Sequence, residues 1–74
     1  MKLTIRLFAT LRENRGKELR LDMEGEPTPG DVIRQLDIPE SDVAILLVNG
    51  RDASLRQPLQ DGDVVSVFPP VGGG

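Results

Sequence analysis

Val64-Val65-Ser66-Val67-Phe68-Pro69-Pro70-Val71-Gly72-Gly73-Gly74 is a strand that runs into a tail. Val65 and Val67 share one side while Val64, Ser66 and Phe68 share the other, the period of two expected of a half-buried strand. Pro69 and Pro70 end it, because neither can donate to a sheet ladder and Pro70 holds Pro69 extended. Residues 1–68 are therefore expected to form the folded body, and residues 69–74 an extended tail. The stretch Val71 to Gly74 reaches roughly 13 Å at about 3.3 Å per residue. Without a Cβ, Gly72, Gly73 and Gly74 suit a narrow channel in another protein. The reactive group at the tip is the α-carboxylate of Gly74. Gly-rich ends are often frayed chain. A Pro-Pro-Val spacer set directly after an apolar strand marks this one as a presented tail.

Working back from the tail, Asp61-Gly62-Asp63 reads as a tight turn. Leu55 and Leu59 plug the end of the core from an irregular segment that contains Pro58. Asn49-Gly50 is a strong hairpin signal, and Arg51 to Ala53 pairs back briefly. Before it, Val43 to Val48 is a nearly continuous apolar run, as expected of a strand buried on both faces or paired centrally. Thr28 reads as a helix N-cap, with Pro29 at the first helical position and Asp31 three residues on, a near capping box. The helix then spans Pro29 to Leu36, with Val32, Ile33 and Leu36 on its buried stripe. At the start of the chain Leu3, Ile5 and Leu7 alternate with Lys2, Thr4, Arg6 and Phe8. Lys17 to Asp22 alternates again with Leu19 and Leu21 inward, an antiparallel partner reached through Arg15-Gly16. One helix against one face of a mixed sheet is an α+β layer architecture.

Composition narrows the function. The 74 residues make one domain near the lower limit for a self-sufficient core. Cys, His, Trp and Tyr are absent. The chain thus lacks a thiol nucleophile, the commonest general base and the usual zinc ligands, so it is not expected to be an enzyme or to bind a metal or cofactor. A net charge of −3 argues against nucleic acid as a partner. No apolar run is long enough to span a membrane, and Met1-Lys2 leads straight into a strand, so a cytoplasmic location is expected. Arg6, Arg12, Arg51 and Arg56 read first as solvated surface charge, and otherwise as a complement to an acidic partner surface.

Four stretches carry a resemblance: Leu7 to Glu13 (LFATLRE), Val48-Asn49-Gly50, Leu59 to Val64 (LQDGDV), and Phe68-Pro69-Pro70-Val71 before the glycines. Each is common alone. Together, in this order and over essentially the whole chain, they resemble the ubiquitin-like sulfur carriers of the MoaD/ThiS superfamily, its molybdopterin-synthase small-subunit branch in particular. The resemblance implies a β-grasp fold of four to five strands, the last parallel to the first in the middle of the sheet. It implies that an E1-like adenylating enzyme of the MoeB/ThiF type uses ATP to activate Gly74, and that a sulfur donor makes a thiocarboxylate there. The receiving partner would be a MoaE-type large subunit of molybdopterin synthase, or a tungstopterin-forming equivalent. Alternatives are thiazole synthase, as for the thiamine-pathway carriers, attachment to target lysines as a ubiquitin-like modifier, or a binding module with an inert tail.

The resemblance also matches Phe8 and Phe68 to aromatic positions where the activating enzyme docks. They are the only aromatic residues in the chain, and both fall on the polar face of their strands. Relatives often add an apolar contact just after the Asn-Gly turn. Arg51-Asp52 is charged, so a smaller docking patch is expected. Gly72 departs from the family pattern, in which only the final glycine pair is diagnostic.

Overall fold

The computed structural model describes residues 1–71. Five strands form one mixed sheet: β1 (Lys2–Leu7), β2 (Glu18–Asp22), β3 (Ile45–Val48), β4 (Arg51–Asp52) and β5 (Val64–Phe68). Their spatial order is β2-β1-β5-β3-β4. β1 and β5 run parallel at the centre, and the other neighbouring pairs are antiparallel. The helix α1 (Pro29–Gln35) packs on one face. This is the β-grasp, ubiquitin-like arrangement. Among the described residues, no helix is long and apolar enough to cross a membrane.

The alternation in the chain sets the layers. Leu3, Ile5 and Leu7 of β1 and Val65 and Val67 of β5 are buried beneath the helix. Val32 and Ile33 of α1 meet them, and Ile38 and Leu59 close the ends of this core. Leu55 packs against it half-buried. The chain carrying Leu55 crosses α1 so closely that Gly30 N–H donates to the Leu55 carbonyl at 2.9 Å. A Cβ on Gly30 would sit 3.0 Å from that oxygen, so a side chain there would need the crossing to give by a few tenths of an ångström.

Both ends of α1 are satisfied by side chains. The Asp31 N–H donates to Thr28 Oγ1, while the Thr28 N–H donates to Asp31 Oδ2 at 3.0 Å, which closes the expected capping box. The Thr28 backbone N–H, then its hydroxyl, hold the Asp31 carboxyl below the ordinary carboxylate range, and Arg34 adds to the effect. Leu36 is the C-cap, one residue beyond the last helical turn. Arg15 reaches across from the first loop and donates to the carbonyls of Leu36, Asp37 and Leu11. A cation therefore sits on the exposed carbonyls at the negative end of the helix.

One sequence expectation is corrected. The run Val43 to Val48 is paired on both edges, between β5 and β4, but is not a strand buried on both faces. Only Ile45–Val48 is strand; Leu46 and Val48 are buried, Leu47 is half-buried and Ile45 is 50% exposed. The helix covers one face of the sheet alone, so alternate residues of the run must face outward. Leu19 and Leu21 point inward as read, but are half-buried because β2 is an edge strand.

Candidate functional site

The uncovered face of the sheet carries the candidate site. Leu7 pairs with Val67 in the parallel β1–β5 register, so the next residue of each strand also lies side by side. Those residues are Phe8 and Phe68. Their rings stack with centroids 4.1 Å apart and planes 9° from parallel. The Phe8 N–H still donates to the Val67 carbonyl at 3.2 Å, although regular strand ends at Leu7. Ala9 then takes a left-handed φ of +55°, which turns the chain into a single 3-10 turn at Ala9–Arg12. This turn brings Arg12 back over Phe8. Its guanidinium carbon lies 5.3 Å from the Phe8 ring centroid, a cation–π distance, and its Nε–H donates to the Leu7 carbonyl at 2.8 Å. Arg12 thus stays at the surface as read, but is tethered beside the Phe8 ring.

On the other side β3 supplies further apolar surface. Ile45 is opposite Phe68 in the β3–β5 register, and Leu47 is opposite Ser66. The Ala44 N–H donates to the Phe68 carbonyl at 2.8 Å, which fixes this end of β3 beside the rings. The outward row is thus Phe8, Phe68 and Ile45, with Leu47 one row behind. Arg51 and Asp52 are exposed, so the segment after the Asn-Gly turn adds no apolar surface. Ile45 contributes instead from the strand before that turn. The signal for it was present in the continuous apolar run, which holds more apolar residues than one covered face can take.

Pro69 follows Phe68 half-buried, and Pro70 and Val71 are exposed, Val71 to 94%. The chain therefore leaves the body at the same end of β5 that carries the stacked rings. Gly72, Gly73 and Gly74, named from the sequence as the reactive part of the tail, lie outside the described residues. Of the other arginines, Arg6 pairs with Glu18 across β1 and β2 at 3.3 Å, with both side chains largely exposed.

Comparison with known proteins agrees with this geometry. The small archaeal modifier protein 3 of Haloferax volcanii is 37% identical, with the whole of both chains covered. The crystal structure of SAMP1 from the same organism superposes with a TM-score of 0.82 at 30% identity, again over the whole of both chains. A chain of the complex of subunits 1 and 2 of molybdopterin-converting factor from Helicobacter pylori superposes with a TM-score of 0.67 at 25% identity, with full coverage of both chains. Residues 5–74 match the model of the ThiS family, so the match includes the terminal glycines as well as the sheet. The chain belongs to the ThiS family of ubiquitin-like proteins.

Proposed function

We propose that this protein is a sulfur carrier whose Gly74 carboxylate is adenylated by an E1-like partner and converted to a thiocarboxylate. The observation that carries the proposal is the exit of the chain, through exposed Pro70 and Val71, directly beside the Phe8–Phe68–Ile45 face. A partner that grips this face is positioned to receive the tail. A carboxylate is a poor electrophile until one oxygen becomes part of a leaving group. The carrier has no group suited to that task, so the nucleotide must be held by the partner. The Gly74 carboxylate displaces pyrophosphate from ATP, and sulfur then displaces AMP. Gly72 and Gly73 leave the activated carbonyl uncrowded. The need for ATP makes the cytoplasm the compartment of this reading.

For the receiving enzyme we propose a synthase that makes molybdopterin or tungstopterin. Support comes from the Helicobacter pylori likeness, in which subunit 1 is seen in complex with subunit 2. A second reading has its own support, because the 37% identical relative is named a modifier protein. There an amine of a target protein, in place of sulfur, displaces AMP from the same adenylate. Both readings require a free Gly74 carboxylate. Deleting Gly74, or adding one residue after it, is expected to abolish ATP–pyrophosphate exchange with the activating enzyme while the thermal melt stays unchanged. Continued exchange by the extended chain would overturn both.

A further inference from the structure

We propose that Asn49-Gly50 is a latent deamidation site, held unreactive by a hydrogen-bonded bracket between the start of β5 and the end of β3. The proposed carrier chemistry does not use these residues, and both are exposed to water. The Asn49 side chain replaces a rung of the sheet. Its Oδ1 accepts from the Val64 N–H at 2.9 Å, while the Asn49 N–H donates to the Val64 carbonyl at 2.8 Å. Its Nδ2 donates to Asp63 Oδ1 at 2.9 Å. Asp63 is itself held, since its other carboxylate oxygen accepts from the Gln60 N–H at 2.8 Å and its carbonyl accepts from the Thr4 N–H at 3.0 Å. Both polar atoms of the Asn49 amide are therefore committed to β5 and the turn before it.

Asparagine followed by glycine is the least hindered setting for attack on a side-chain amide, because the attacking nitrogen belongs to a residue without a Cβ. In the reaction the Gly50 nitrogen bonds to Cγ of Asn49 and the Cγ–Nδ2 bond breaks. Ammonia leaves with the proton from the Gly50 nitrogen. Water then opens the cyclic imide at either carbonyl, giving aspartate or isoaspartate. To turn Cγ towards Gly50, the amide must first give up its bonds to Asp63 and Val64. The reaction thus proceeds through local opening of this end of the sheet.

The product cannot restore the bracket. A carboxylate at position 49 has no proton for Asp63 Oδ1 and places like charges face to face. Isoaspartate also lengthens the backbone of a two-residue turn, the element that sets hairpin register. The same strand holds Ile45 opposite Phe68, so the lesion reaches the candidate docking face through β3.

The test is peptide-mapped mass spectrometry of the full chain incubated at mildly alkaline pH, comparing native wild type, wild type in urea, and Asp63→Ala. Native wild type is expected to be slowest and the urea sample fastest. Loss of one hydrogen bond in Asp63→Ala is expected to speed conversion at Asn49 roughly five-fold. Equal rates for native and urea-treated wild type would overturn the proposal, as would a wild-type rate in Asp63→Ala with an intact melt. Should Asp63→Ala fail to fold, a urea series on wild type decides. A rate that climbs before the global transition supports the bracket, and a rate indifferent to urea contradicts it.

Discussion

Phe8 and Phe68 stack face to face at 4.1 Å on the side of the sheet that α1 leaves uncovered. Each ring is half-buried, largely by the other and by its neighbours on the sheet. Phe8→Ala and Phe68→Ala are each expected to lower stability by about 1–2 kcal/mol. Affinity for the activating enzyme should fall by about 2 kcal/mol or more, the range of an interface anchor. The double variant should cost less stability than the two singles together, since the stack is lost only once. Thermal melts of the free domain and titration calorimetry with the partner separate these effects. Large stability losses with unchanged affinity would make both rings core residues.

Ile45 gives a cleaner probe of the same face, because half of it is exposed and replacing it leaves the Phe8–Phe68 stack in place. Ile45→Ser is expected to cost about 1 kcal/mol of stability through the buried half of the side chain. Its effect on partner affinity should exceed that. An unchanged affinity would confine the docking face to the two rings.

Ile45 also shows where reading the sequence stops. Alternation placed Leu3, Ile5, Leu7, Val65 and Val67 correctly, since period two fixes a face whatever the strand's neighbours. The Thr28–Asp31 capping box and the Asn49-Gly50 turn were legible because their interactions close within a few residues. Strand order was not, because pairing between β1 and β5 joins residues sixty apart, such as Thr4 and Val64. That order came from resemblance. A continuous apolar run such as Val43 to Val48 carries no phase, so only the single helical layer decides that Ile45 faces outward. Arg12 lies at the surface as expected, but its contact with Phe8 was not legible, because nothing local predicts the left-handed Ala9 that folds it over the ring.

Arg15 ties the first loop to the end of α1 through three carbonyls. Arg15→Ala is expected to destabilise the domain by about 1.5–3 kcal/mol, the range for hydrogen bonds made by a charged group. Arg15→Lys should recover only part of this, because an ammonium cannot span the same fork of acceptors. Chemical denaturation of the three proteins checks the order. A wild-type midpoint for Arg15→Ala would show that water replaces the clamp at no cost.

Acid sensitivity should have a contribution from Asp31. Its carboxyl pKa is lowered in the fold, first by the Thr28 N–H and then by the Thr28 hydroxyl. A depressed carboxylate contributes stability that is complete above its unfolded pKa and lost as pH falls through the folded one. Asp31→Asn should therefore be less stable than wild type at neutral pH and decline less steeply below about pH 4. Thr28→Ala should lose about 1 kcal/mol from the missing cap. Parallel acid denaturation curves for wild type and Asp31→Asn would remove Asp31 from the account.

The central claim concerns what happens at Gly74, and intact-mass spectrometry reads it directly. The chain is incubated with its activating enzyme, ATP and a sulfur donor, then weighed and fragmented. The carrier account predicts a gain equal to the replacement of one oxygen by sulfur, confined to Gly74 and reversed when the receiving synthase is added. Conjugates joined through Gly74 to lysines of other proteins, with no thiocarboxylate at any time, would contradict sulfur carriage and leave the modifier reading in its place.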